Sequence, residues 1–302
     1  MTDAALEVRP PKGPRAKPKL RRSRIGLHAF LALVTLLWIS PILWAIFTAM
    51  RPYADTSQYG FVSWPKHLNF DNFKAAWNQA QFPHYFWNSI IVAIPAIALI
   101  LLFSSAIAFV VSRLSFRWNI PLLIFFMAAN LLPQQVILQP LYRIYLRIPL
   151  PTWISDSGLM YDSYLGLILI NVAFQTGFCT FVLSNYMKTI PKSLTEAARV
   201  DGAGVARQYF KIILPLCRPA LAALATLEFT FIYNDFLWAL ILISNGSKRP
   251  ITAALNNLQG EFFTNNNLLA AGALMTAIPT VLVFAALQRH FVNGLTLGSN
   301  KG

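Results

Sequence analysis

Charge is scarce in this 302-residue chain: 12% of its residues are Asp, Glu, Lys or Arg, against 56% hydrophobic. A soluble domain carries about a quarter charged residues, so that class is excluded. Cysteine is scarce as well. Cys179 lies inside one apolar block and Cys217 at the edge of another, which offers neither a disulfide framework nor metal spacing. The four histidines, His28, His67, His84 and His290, are scattered, so no metal site is expected. A Gly-x4-Gly-Lys-Ser/Thr phosphate loop is absent, since Gly246-Ser247-Lys248 lacks the leading glycine. If the chain works with ATP, another polypeptide must bind and hydrolyse it.

What is present is apolar and comes in blocks of about 20 residues or more, long enough to cross a bilayer as helices. Six such blocks are expected as spans: 25–50, 87–112, 119–142, 163–187, 217–243 and 268–291. The chain is therefore read as an all-α integral membrane protein with one six-span domain over residues 25–302. Residues 1–24 form a basic tail with four prolines, expected to be disordered and cytoplasmic. A cleaved signal peptide is disfavoured, because the first block is too long for its apolar region and no small-x-small site follows. Pro41, Pro95, Pro133 and Pro279 lie in or at the ends of spans, where neighbouring helices can re-satisfy freed carbonyls. Ser104, Ala108 and Ser112 make a small-residue stripe suited to close helix packing.

The net charge of +14 does not point to nucleic acid, because the cations lie between apolar blocks. With the N-terminus inside, six spans return the C-terminal tail, 292–302, to the same side. Eighteen of the 25 Lys and Arg then fall on inner segments and seven on outer ones. That asymmetry follows the positive-inside rule. Without the tail it is still ten against seven. The outer loop 51–86 contains a short helix that Asp71 is expected to cap, with Phe73, Ala76, Trp77 and Ala80 on one face. Its aromatics suit a membrane-interface belt, or contact with an external partner. The outer segments 146–162 and 244–267 are too short for domains and are read as lids or contact surfaces.

Polar residues inside the spans mark a candidate substrate path. Glu228 and Asp235 are two turns apart in span five, beside Tyr233 and Asn234. Ionisable groups at membrane depth cost several kcal/mol and face a partner helix or a hydrated cavity. Span three supplies Gln134 and Gln135, with Asn130 and Gln139, and span four supplies Asn171 and Gln175. Amides interleaved with aromatics suit sugar hydroxyls and ring faces, and suit helix–helix hydrogen bonds equally.

The longest polar, helix-forming stretch between apolar runs is the loop 188–215. Pro191 suits a first helical turn, and Ser193 to Glu196 fits a capping box. Leu194, Ala197, Ala198 and Asp201 then share a face with small side chains that another protein's groove could receive. Gly202 and Gly204 end that helix. The spacing Glu196-Ala197-Ala198, x3, Gly202, x9, Ile212-x-Leu214-Pro215 resembles the EAA loop of permease subunits of ATP-driven ABC importers. Leu132-Pro133-Gln134-Gln135, Tyr233-Asn234-Asp235-Phe236-Leu237-Trp238 and Gly294 to Gly302 resemble the carbohydrate, MalG-like branch, and the likeness covers residues 25–302.

The resemblance implies a MetI-like six-span fold in the cell membrane of a prokaryote, without catalytic activity. It implies a second, MalF-like permease subunit, two ATPase subunits that hold ATP and Mg, and an extracellular or periplasmic solute-binding protein. The expected cargo is a di- or oligosaccharide. Glu196, Ala197, Ala198, Gly202, Leu194 and Asp201 would contact the ATPase, and Asn300, Lys301 and Gly302 inherit a contact between ATPase subunits. The basic tail is longer than the family norm. Two alternatives remain at this point: an ion-coupled sugar carrier, motivated by Glu228 and Asp235, and a membrane enzyme acting on lipid-linked sugars.

Overall fold

The computed structural model describes residues 22–114, 117–131, 133–258 and 264–296. Residues 1–21 of the basic tail, and Asn300, Lys301 and Gly302, lie outside them. Regular structure among the described residues is helical, with one isolated antiparallel bridge between Pro149 and Leu159. The chain divides after Ala45 into two units. In the first, helix α1 (Arg22–Met50) begins, and its stretch Ile25–Met50 is long and apolar enough to cross a membrane. Leu33, Leu37 and Trp38 are exposed, as befits a helix that is apolar on all sides and meets lipid.

The second unit, from Ile46 onward, contains the other helices. Two are short, α2 (Tyr53–Tyr59) and α3 (Asp71–Gln79). Next come α4 (Phe82–Arg113), α5 (Asn119–Asn130), α6 (Gln134–Tyr145) and α7 (Tyr164–Thr189). The loop that follows holds α8 (Ser193–Val200), α9 (Val205–Gln208), a π-helical segment (Tyr209–Ile213) and α10 (Leu214–Leu216). The chain ends with α11 (Arg218–Tyr233), α12 (Leu237–Leu242), α13 (Ile251–Ala254) and α14 (Asn266–Thr296).

The most extensive packing joins α4 to α7, and α11 closes against α14 and α4. Ala93, Ala96, Ile100, Ser104 and Ala108 recur at helical spacing on α4 and are fully buried. They meet an α7 face that includes Cys179, Leu183 and Met187. In lipid, burying Ile100 or Leu183 gains little transfer energy, because the tails are as apolar as leucine; close packing and hydrogen bonds must hold the helices instead. Gly177 shows how close the approach is. A Cβ there would lie 2.7 Å from the Phe126 carbonyl oxygen, so only glycine lets α5 lie so near α7.

The helices depart from the expected spans in two places. Among the described residues four helices are long and apolar enough to cross a membrane, and a fifth crossing exists if a pair bent by 72°, Val205–Leu216 with Arg218–Tyr233, counts as one. Expected span three, 119–142, is divided into α5 and α6, of 12 residues each. Each is about 18 Å long, short of a hydrocarbon core of about 30 Å. Pro133 explains the break: it has no amide to continue α5, and its ring collides with the preceding turn. Expected span five is divided at Asn234–Phe236, between α11 and α12.

The loop before α4 is knotted to α14. Arg51 is 1% exposed; its Nε donates to Asp55 Oδ2 at 2.6 Å and its Nη1 to the Gly60 carbonyl. That hydrogen bond holds the Asp55 carboxyl below its ordinary pKa. Asn72 Nδ2 donates to the Ala49 and Arg51 carbonyls, each at 2.8 Å. Asn267 Nδ2 is shared among the Thr48 and Arg51 carbonyls and Thr56 Oγ1, each at 2.9 Å. Asp71 does not cap α3. It is the first helical residue, and Asn69 supplies the side chain that accepts its amide.

Candidate functional site

Two regions hold the candidate residues: the loop between α7 and α11, and the break between α11 and α12. In the first, α8 starts two residues after Pro191 without a capping box. Its cap position is Lys192, and Ser193 is already helical. Thr195 Oγ1 instead donates back to the Lys192 carbonyl at 2.8 Å. Gly202 ends the turn with φ +76°, a conformation that side chains with a Cβ disfavour. Ala203 N donates to the Ala198 carbonyl and Gln208 Nε2 to the Ala203 carbonyl, which folds the chain back toward α9.

The faces of α8 are sorted differently from the periodicity argument. Thr195 and Ala198 are buried, so they are the side that packs inward. Leu194, Glu196, Ala197, Asp201 and Gly202 are exposed. Ala198 therefore belongs to the chain's own packing rather than to a surface open to another protein. Its separation of three from Thr195 puts both residues on one helical side. Val200, Val205 and Phe210 add exposed apolar area, Val200 being 88% exposed.

Three side chains that sequence reasoning did not single out anchor this loop. Arg113, at the end of α4, donates from Nη2 to the Met187 and Ile190 carbonyls and so receives the last turn of α7. Tyr209 Oη and Ser105 Oγ are 2.8 Å apart and buried, and the Tyr209 ring lies 5.3 Å from that of Phe109. Tyr209 opens the π segment, a rare geometry that concentrates at functional places.

At the second region, Asp235 Oδ1 accepts from Trp238 N at 3.2 Å, one residue ahead of Phe236, the cap position of α12. Its carbonyl accepts from Thr252 Oγ1 at 2.9 Å. Asn171, buried on α7, donates to the Leu167 carbonyl at 2.9 Å. Asn234 is exposed and donates to the Thr230 carbonyl, with Thr280 Oγ1 at 3.4 Å. Trp238 and Phe174 rings lie 5.6 Å apart beside it. Gln134 is half-buried and Gln135 exposed on α6, and Gln175 is half-buried on α7.

Glu228 and Tyr233 do not join that surface. Glu228 is fully buried, and its Oε1 accepts from the Cys179 thiol at 3.1 Å. Tyr233 is also fully buried, stacked on Phe229 at 5.3 Å. Both face the packed interior, because α11 presents this side to neighbouring helices. Asn234 and Asp235 thus sit side by side at the break, while Glu228 is held apart with Cys179. Among the described residues there is no cluster of His, Cys, Asp and Glu that could hold a metal ion.

Comparison with known proteins identifies the architecture. The chain is 32% identical over 239 residues to the melibiose/raffinose/stachyose import permease protein MelC of Bacillus subtilis, covering 79% of this chain and 83% of that protein. It is 30% identical over 282 residues to the diacetylchitobiose uptake system permease protein NgcG of Streptomyces coelicolor, covering 92% and 89%. Among solved structures, a bacterial ABC transporter involved in import of the acidic polysaccharide alginate superposes with a TM-score of 0.74 at 22% identity, over 91% of this chain and all of that one. Residues 86–296 match the family of binding-protein-dependent transport system inner membrane components. With all but the first turn of α4, and α5 to α14, inside that match, the chain belongs to this family of non-catalytic membrane permeases.

Proposed function

We propose that the chain is one of two permease subunits of an ATP-driven importer for a di- or oligosaccharide. The single observation that carries this reading is the surface of α8. Leu194, Glu196, Ala197, Asp201 and Gly202 are exposed on a short helix rooted by Thr195 and Ala198, which is what a partner's groove needs in order to grip and push. The chain itself has no phosphate loop, so work from ATP must arrive through such a contact. Sugar as cargo is supported by the uptake named for MelC and NgcG.

In this reading six crossings are made by α1, α4, the α5–α6 pair, α7, the α11–α12 pair and α14. Both chain ends and α8 then face the cytoplasm, as the distribution of basic residues favours. Two ATPase subunits carrying ATP and Mg meet α8, with Asn300, Lys301 and Gly302 as a further contact. A MalF-like permease completes the path and a solute-binding protein delivers the cargo. A push on α8 turns about Gly202 and passes along the π segment; Tyr209 hands it to α4 through Ser105, and Cys217 hands it to α11. The broken stretch Asn234–Phe236 is where α11 can move relative to α12, next to the exposed Asn234 and Gln135.

Affinity purification of the tagged chain from its host, with sugar uptake measured in parallel, tests the proposal. Glu196→Lys and Gly202→Asp should insert normally yet lose uptake and sugar-stimulated ATPase activity. Normal uptake by both variants, or purified complexes without an ATPase, would overturn it.

A further inference from the structure

The last turn of α4, the first turns of α5 and the last turn of α7 enclose a cleft of about 740 Å³ that the coupling reading leaves unused. Its wall is apolar where the membrane helices form it, at Val111, Ile120 and Leu123. Its polar members are Arg117, Asn119 and Lys188, and no acidic residue lines it. Neither cation takes part in an ion pair among the described residues. Asn119 Nδ2 donates to the Leu114 carbonyl at 2.6 Å, which fixes the amide, and its Oδ1 has no partner among the described residues.

We propose that this cleft holds one anionic phospholipid from the leaflet on the α8 side of the membrane. Its acyl chain lies along Ile120 and Leu123, and its phosphate sits between Arg117 and Lys188. Basic pockets between membrane helices are suited to anionic headgroups. A free anion would leave the apolar wall in contact with water, and a neutral lipid would leave two cations without a counter-charge. Trp118, 55% exposed with the Arg117 guanidinium 5.4 Å above its ring, marks the same level as an interfacial aromatic. Lys188 falls between Met187 and Ile190, whose carbonyls Arg113 holds. A bound phosphate therefore steadies the root of α8. The inference uses membrane insertion alone and makes no assumption about cargo.

Native mass spectrometry of the full-length chain in mild detergent tests it, with phosphatidylglycerol as probe, phosphatidylcholine as neutral control and glycerol phosphate as soluble headgroup. One phosphatidylglycerol should be retained in preference to phosphatidylcholine, and glycerol phosphate should not displace it. Arg117→Gln and Lys188→Gln should each weaken retention about fivefold, the effect of removing one cation near an anionic headgroup. Both positions are exposed, so the fold should survive. Leu123→Trp should also weaken retention with the charges intact. Unchanged retention by the double glutamine variant, equal retention of the two lipids, or displacement by glycerol phosphate would each overturn the proposal. Sugar uptake and ATPase recovery are separate readouts, so failure here is distinguishable from failure of the importer reading.

Discussion

Ser105 and Tyr209, 104 positions apart in sequence, share a buried 2.8 Å hydrogen bond that ties the loop carrying α8 to the middle of α4. The bond is one of two anchors of that loop on α4, the other being Arg113 on the Met187 and Ile190 carbonyls. Tyr209→Phe keeps the ring against Phe109 and removes only the hydroxyl, leaving Ser105 its bond to the Leu102 carbonyl. The expected cost is about 1 kcal/mol of stability, read from denaturant unfolding in detergent. Sugar-stimulated ATPase activity should fall further than that modest loss explains. A variant with unchanged stimulation would show that force takes another route.

The two sides of α8 should respond in opposite ways. Leu194→Asp changes an exposed residue and should shift stability by no more than about 0.5 kcal/mol, while abolishing recovery of the ATPase. Ala198→Leu enlarges a buried residue and should destabilise by about 1–3 kcal/mol, visible as a lower midpoint of thermal unfolding. If Leu194→Asp retains its ATPase, the outward face is not the docking face.

The Arg51–Asp55 pair predicts a pH dependence. Its bonded Asp55 carboxyl has a depressed pKa in the folded chain, so its stabilisation is complete above the ordinary Asp range of about pH 4 and is lost as pH falls through the folded value. Limited proteolysis of loop 51–81 should therefore accelerate below about pH 4, and Asp55→Asn should flatten that dependence. Acid acceleration of equal size in Asp55→Asn would assign the effect to another group.

The break after α11 separates a bonded carboxylate from an exposed contact. Asp235→Ala removes the acceptor for Trp238 N and should cost about 0.5–2 kcal/mol, lowering the yield of folded chain. Asn234→Ala removes an exposed amide and should alter uptake while leaving complex assembly unchanged. Assembly loss in Asn234→Ala with normal uptake per assembled complex would make the amide a structural group.

Local signals were readable in the chain itself. Pro191 and Gly202 bracket α8 because one favours a first turn and the other permits the positive φ that ends it, and both effects act within a few residues. Block length revealed α1, α4, α7 and α14 for the same reason. Long-range choices were not readable. Periodicity groups Leu194 with Ala198 but does not say which of them meets the rest of the chain, so Ala198 was placed outward when it packs inward. Glu228 looked like the wall of a hydrated path because its partner, Cys179, is 49 positions away. The division of the third block at Pro133 was open to either outcome, since proline in a membrane helix kinks it or ends it according to what the neighbours can satisfy.

Asn267 has a consequence for motion. By clasping Thr48, Arg51 and Thr56 together, it fastens the start of α14 to the segment ahead of α4 with neutral bonds, two hydrogens shared among three acceptors. A body pinned at one such place swings rather than slides. A few degrees of rotation about such a point would become ångströms of sweep at the far tips of helices as long as α4 and α14.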